Sequence, residues 1–418
     1  MTMNAKRLRA HQKLIALPGV RPVRRPVSAG SDEKFDLYYV RTGRKSAHPV
    51  VVIPGGPGAA SVALYRGFRR RAAAAGLDVI MVEHRGVGLS RHDDAGADLP
   101  PEALTVDQVV GDIAAVLDDA QVERAVLYGT SYGTYIAAGV GVRHPERVHA
   151  MILDSPLLSN RDIEDVREAI RAVLWDGDQP NTAELAAKVR RLVNDGVLTP
   201  SAAQIAAAVY GFGGPKLLNR QLELLLRGHS WLWTAETGLA DILLQRKAPY
   251  RNEADLVGRI GFRELNYGAI PDGKPLDPAI AFRELARDLV DFEAEPYDLV
   301  AEMPKFSWPT AVVSGARDLI TPASVAERIA ALVPGAVLVR LPTAGHSALD
   351  FRERVALAIA QAVRDGQAGQ LPVRAAQLDS LPRPPAIRLL IGALRAATTV
   401  EAAVPAVIPR ALRWVITS

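Results

Sequence analysis

Gly129-Thr130-Ser131-Tyr132-Gly133 lies between the apolar run 125–128 and an alanine-rich segment of helical composition. A serine with glycine two residues away on either side, leaving a buried strand and entering a helix, is the layout of a nucleophile elbow. The turn is so sharp that side chains at the two flanking positions must be absent. The helix that follows directs its N-terminus at Ser131 and favours negative charge developing there. Ordinary glycine-rich turns produce the same five letters by chance, so the strand before and the helix after give the motif its meaning.

Outward from the elbow, short Val/Ile/Leu runs alternate with longer helical segments, the pattern of a parallel sheet with crossover helices. The runs are 50–53, 78–82, 125–128, 150–153, 310–314 and 336–340, with 35–40 as an earlier and more exposed strand. The predicted fold class is α/β, a mostly parallel twisted sheet flanked by helices. Its strand rhythm stops between Pro156 and Pro309, where Ala, Leu and Arg dominate. Helical stretches are expected there at 163–174, 183–192, 202–209 and 217–226. The division that follows is a basic N-terminal extension (1–34), a sheet core (35–155 and 310–368), an inserted helical cap (156–309) and a C-terminal helical extension (369–418). In the last, 371–385 reads as loop, and 386–397 and 406–417 as short amphipathic helices.

A serine hydroxyl is a weak nucleophile at neutral pH and needs a base. An elbow serine is followed in the chain by its acid and then by its histidine. Of eight histidines, His346 alone follows the last predicted strand. His11 and His48 precede the core strands, His144 and His149 read as surface residues at a helix end, His229 lies in the cap, and His84 and His92 follow the second core strand. Asp318, just after the strand 310–314, is the expected orienting acid; Asp154 is the fallback and Asp350 ranks third.

The oxyanion of an acyl-transfer intermediate needs backbone N–H donors. Tyr132 supplies one. The loop Pro54-Gly55-Gly56-Pro57-Gly58 supplies the other, from Gly56 first and Gly55 second, because proline has no N–H. Glu83-His84-Arg85 reads as architectural, Arg85 tying loops around the site, although a catalytic Glu83 or His84 is conceivable. No P-loop lysine, His-Glu-x-x-His or carboxylate cluster accompanies these motifs, so neither nucleotide nor metal is expected, and the serine mechanism needs no cofactor.

Composition narrows the partners. The 50 Lys and Arg against 46 Asp and Glu leave a net charge of +4, no nucleic-acid footprint. Seven basic residues precede the first acid, Asp32, as a solvated arm or one that touches an acidic surface. With no cysteine there is no disulfide framework or thiol nucleophile. No run is long and apolar enough to span a bilayer, and a cytoplasmic location without stable membrane insertion is expected. Homo-oligomerisation stays open.

Five stretches resemble the proline iminopeptidases and the related tripeptidyl aminopeptidases, within the α/β-hydrolases. They are Gly55-Gly56-Pro57-Gly58, Arg85-Gly86-Val87-Gly88-Leu89-Ser90, Gly129-Thr130-Ser131-Tyr132-Gly133-Thr134, Gly315-Ala316-Arg317-Asp318 and Gly345-His346. The likeness covers roughly 35–365. Pro54 stands where the family has histidine, Glu83 where it has aspartate, and Tyr132 where the iminopeptidases favour tryptophan. The cysteines that the tripeptidyl relatives carry near the end of the cap are missing, and the chain beyond Ala368 is foreign to the family pattern. The resemblance implies release of N-terminal proline or small apolar residues from peptides, with cap carboxylates binding the free ammonium group. Glu264, Asp272 and Glu236 are the candidates. Hydrolysis of small acyl esters by the same triad is the alternative, and a ligand-binding protein without turnover the third reading.

Overall fold

Val50–Ile53 is four β-branched residues in a row, every one buried. Such a run has no polar face to give to water and suits a strand covered on both sides. The computed structural model describes residues 4–199, 202–245, 248–285 and 291–405. Among these residues the strands are β1 (Val20–Pro26), β2 (Lys34–Thr42), β3 (Val50–Ile53), β4 (Val79–Val82), β5 (Ala125–Thr130), β6 (Val148–Asp154), β7 (Thr310–Gly315) and β8 (Val337–Leu341). They form one sheet in the order β1-β2-β4-β3-β5-β6-β7-β8. Pairing is antiparallel for β1 with β2 and β2 with β4, and parallel from β4 through β8.

Alternate residues of each strand enter different cores. Val51, Ile53 and Leu127 pack with the helices Val106–Asp119, Tyr132–Arg143 and Ala323–Leu332. Val50, Val52, Val126 and Tyr128 pack with Arg66–Ala74 and Glu353–Arg364. The helix Val106–Asp119 shows why it forms. Val106, Val109, Val110, Ile113, Val116 and Leu117 recur at three- and four-residue spacing and are buried, and the Thr105 hydroxyl accepts from the Gln108 amide at the N-terminus.

Register aligns the strand ends that matter. Ile53 pairs with Gly129, Thr130 with Asp154, Asp154 with Val313 and Gly315 with Leu341. The loops after β3, β5, β7 and β8 therefore leave the sheet at one carboxyl edge, where open parallel sheets place their ligands.

Residues 156–309 divide in two. Ile170, Leu174, Leu185, Val189, Leu218, Leu222 and Trp233 form a core of their own. Tyr250, Leu256, Val257, Ile260, Leu265, Tyr297 and Trp308 pack into the sheet cores instead. All four expected helices are present, as Asp162–Arg171, Ala183–Asn194, Ala202–Gly213 and Pro215–Leu226.

Three expectations need correction. The N-terminal residues are no loose arm: Ala5–Ile15 is a helix and Val20–Pro26 an edge strand. Pro22 and Pro26 hid that strand, since proline is tolerated at an edge where no ladder donor is needed. With β1 on one side and β4 on the other, β2 is interior, and Phe35, Leu37, Tyr39 and Val40 are buried rather than exposed. The expected loop 371–385 contains the short helix Ala375–Asp379, and the helix after it runs Pro385–Ala403. The second C-terminal helix, at 406–417, falls outside the described residues. No described helix is long and apolar enough to cross a membrane.

Candidate active site

β5 ends at Thr130, and Ser131 turns the chain with φ 52° and ψ −126° into the helix Tyr132–Arg143. An L-residue in that region is strained and persists only when its surroundings hold it. The Ser131 amide donates to the Asp154 carbonyl at 2.9 Å, and the Thr134 amide donates to the Ser131 carbonyl at 2.8 Å. The flanking glycines are steric necessities: a Cβ on Gly129 would lie 2.2 Å from the Gly133 carbonyl oxygen, and one on Gly133 would lie 2.1 Å from that of Ile53. Tyr132 itself is buried, so what it can offer this edge is its amide at the first turn of the helix.

The glycine loop after β3 lies against the serine. A Cβ on Gly55 would lie 3.1 Å from Ser131 Cβ and 3.7 Å from its Oγ. Gly56 follows with φ 130°, and the Gly56–Pro57 peptide is cis. The insert braces this loop from outside. The Glu253 amide donates to the Gly58 carbonyl and the Ala60 amide to that of Arg251, with an antiparallel bridge between Ala59 and Asn252.

On the other side, Asp318 after β7 meets His346 after β8, with Asp318 Oδ2 and His346 Nδ1 3.0 Å apart. The amides of Ile320 and Thr321 each donate to Asp318 Oδ1 at 2.9 Å, and the Thr321 hydroxyl donates to Oδ2 at 2.8 Å. Burial pushes the Asp318 carboxyl up, but the His346 ring and these amides outweigh it and hold it below its ordinary value. Burial pulls His346 down, yet Asp318, with smaller help from Asp154 and Asp350, leaves it above the usual histidine value. With Nδ1–H turned to Asp318, Nε2 is the ring's acceptor.

A polar network ties the serine strand to the histidine loop. Thr130 Oγ1 donates to Ser347 Oγ at 3.0 Å, joining the residue before Ser131 to the residue after His346. Ser347 Oγ donates to Asp350 at 2.6 Å, and Tyr65 donates to the other Asp350 oxygen at 2.7 Å. Asp154, the fallback acid, accepts from the Ala348 and Leu349 amides at 3.0 and 2.9 Å and from the Tyr128 hydroxyl at 3.0 Å. Burial lifts its carboxyl to about 6 against those donors. Asp154 and Asp350 thus hold the histidine loop, while Asp318 holds the ring. Neither this network nor Thr321 is visible as a pattern in the sequence.

Arg85 makes two hydrogen bonds to Asp112, at 2.6 and 2.7 Å, and reaches the carbonyls of Val27 and Ala103 at 3.0 Å each, the expected tying role. Glu83 accepts from the Ser61, Val62 and Leu89 amides, and its burial raises the carboxyl to about 7. His84 is buried with neither ring nitrogen hydrogen-bonded, and burial pulls it down to about 4. His144 and His149 lie away from this edge, His149 stacked on His48 at 3.7 Å between ring centres.

Each of the three cap acids has a local partner of its own. Asp272 pairs with Arg171 at 2.7 Å, and that guanidinium holds its carboxyl well below the usual range. Glu264 is committed on both oxygens, to Arg263 at 2.6 Å and to the Val106 amide at 2.8 Å. Glu236 accepts from Gln221 at 2.7 Å beside the C-terminal helix, and burial lifts it to about 7. Glu264 alone of the three is buried, and a buried carboxylate without partners is costly. No group of three or more potential metal ligands occurs among the described residues.

Residues 48–196 match the family described as the alpha/beta hydrolase fold. A probable proline iminopeptidase of Leptolyngbya boryana is 26% identical over 336 residues, covering 78% of this chain and 88% of that one. A proline iminopeptidase of Neisseria meningitidis is 27% identical over 121 residues, and there the chain spans 36% of the relative's length and 29% of its own. The crystal structure of proline iminopeptidase from Mycobacterium smegmatis superposes with a TM-score of 0.50 at 19% identity, over 83% of this chain and 99% of that one. Sheet order and these likenesses together give the chain the α/β-hydrolase fold, with a sequence similar to the proline iminopeptidases.

Proposed function

We propose that the protein is a serine hydrolase working through an acyl-enzyme, with Ser131 as nucleophile, His346 as general base and Asp318 as the acid that orients it. The observation carrying this reading is the 3.0 Å contact between Asp318 and His346 on a loop tied, through Ser347 and Thr130, to the strained Ser131 turn. Ser131 attacks the carbonyl carbon while His346 Nε2 takes its proton. The amides of Tyr132 and Gly56 hold the oxyanion. His346 then returns the proton to the leaving group, and water hydrolyses the acyl-enzyme by the same route.

The substrate class we favour is the peptide N-terminus, with proline or a small apolar residue released, supported by the likeness to the proline iminopeptidases. The pairing of Asp272 and Glu264 with arginines favours a second reading, hydrolysis of small acyl esters, which needs no acid for an ammonium group. A rate screen of proline-, alanine- and tripeptide-arylamides against short acyl esters, with Ser131→Ala as control, separates the two. Serine-dependent arylamide cleavage supports the aminopeptidase; serine-dependent ester cleavage alone moves the activity to an esterase. Turnover that survives Ser131→Ala sinks both.

A further inference from the structure

The chain beyond the last core helix is foreign to the family pattern, yet it converges on the loop that carries His346. Thr343, three residues before the histidine, has all its polar groups held from nearby. Its amide donates to Asp379 Oδ2 at 3.0 Å, its carbonyl accepts from Arg383 Nη2 at 3.4 Å, and its hydroxyl accepts from Arg352 Nη1 at 3.3 Å. Arg352 and Asp379 are themselves an ion pair at 3.3 Å, with side chains only 4% and 8% exposed.

Arg383 also reaches in a second direction. Its Nη1 donates to the Phe212 carbonyl at 2.5 Å, near the end of the insert helix Ala202–Gly213. The same turn lies directly on the histidine loop, since a Cβ on Gly345 would sit 2.7 Å from the Gly211 carbonyl carbon. One guanidinium thus bridges the insert and the base-bearing loop. Its planar fork serves the two carbonyls from two separate nitrogens held in fixed directions, where an ammonium would have to reach both from one.

Downstream, the helix Pro385–Ala403 fastens the other end. Leu394 packs against the core of the insert. The buried Glu401 accepts from the Trp231 and Leu232 amides at 2.9 and 3.5 Å, capping the helix Trp231–Gln245. The segment from Asp379 to Glu401 therefore runs from the histidine loop to the insert, making polar contacts at both ends.

We propose that Arg383 and Asp379 are positioning residues for His346, and that the C-terminal segment is a strap holding the base-bearing loop and the insert in register. The proposal rests on the reading of His346 as general base. Holding Thr343 from three sides limits how far the imidazole can drift from Asp318, and drift of about 1 Å is enough to cost about 100-fold in rate.

The test compares full-length wild type, Arg383→Ala, Arg383→Lys and His346→Gln on p-nitrophenyl acetate, reading kcat, KM, the acid limb of kcat/KM and the melting temperature. The expected result for Arg383→Ala is a kcat lower by about 10- to 100-fold at near-constant KM. Its acid limb is expected to move down toward the free-histidine value of about 6.5 as the Asp318 contact loosens. Arg383→Lys, which keeps the charge but replaces the two-nitrogen fork by a single nitrogen, should fall between, and it carries the test if the alanine variant does not fold. A lower melting temperature with unchanged kcat and an unmoved acid limb would make the strap merely structural and overturn the proposal. Turnover retained by His346→Gln would instead bring down the triad reading beneath it. Loss of turnover in His346→Gln beside wild-type behaviour of both Arg383 variants would overturn the strap alone.

Discussion

Arg7, in the first helix, forms a buried ion pair with Glu253 of the insert at 2.6 Å, and both side chains are almost fully out of water. Arg7 also donates to the Gly88 carbonyl at 3.1 Å, and Glu253 accepts from the Gly88 amide. Because the Glu253 amide in turn holds the Gly58 carbonyl, the N-terminal helix supports the glycine loop beside Ser131 through a single residue. Removing one partner strands a buried charge, so Arg7→Ala should lose about 3–5 kcal/mol of stability in urea denaturation. An unchanged denaturation midpoint would show that the pair does not hold the N-terminus to the fold.

The pH dependence follows from the Asp318–His346 contact. The base must be neutral to accept the serine proton, and its value is raised, so the acid limb of kcat/KM should lie above the free-histidine value of about 6.5. The stability contribution of the raised histidine is fully present below its unfolded value and is lost as pH rises through the folded one. That of the depressed Asp318 is present above its unfolded value and is lost as pH falls through the folded one. Asp318→Asn should bring the acid limb down and lower kcat by about 10⁴-fold, since the ring loses its orienting acceptor. A pH–rate profile of this variant that matches wild type would remove Asp318 from the triad.

Ser131 pays for its exposure to substrate with a strained backbone, and one substitution should split strain from chemistry. Ser131→Gly relieves a φ of 52° and should raise stability by about 1 kcal/mol while abolishing turnover. Thermal unfolding and a fluorophosphonate probe read the two effects separately. A glycine variant less stable than wild type would mean that contacts of the Ser131 side chain, rather than backbone strain, dominate at the elbow.

The elements legible in advance were those whose residues answer to strong local rules. The core strands could be read because parallel strands covered on both faces are continuous Val/Ile runs. The elbow could be read because the tight approach of Gly129 and Gly133 admits no side chain. Order along the chain singles out His346, the strand before it singles out Asp318, and the structure brings the two to 3.0 Å. β1 escaped because its prolines and arginines carry no apolar alternation, and its pairing with β2 is a tertiary fact. The partners of the cap acids were hidden for a related reason. The resemblance points to a carboxylate in the cap, but whether an arginine pairs with it depends on which helix comes to lie beside it, as Arg171 lies beside Asp272.

By itself the sequence determined the α/β class and the strand–turn–helix at Ser131, because backbone sterics and burial act on near neighbours. Only the tertiary structure decided that Thr130 meets Ser347, that Arg7 meets Glu253, and that Arg383 joins Phe212 to Thr343. Those pairs lie 217, 246 and, for Arg383, 171 and 40 residues apart. Hydrogen bonds and ion pairs have no periodicity to announce them, and each forms only where packing of the sheet and insert brings donor and acceptor together out of water.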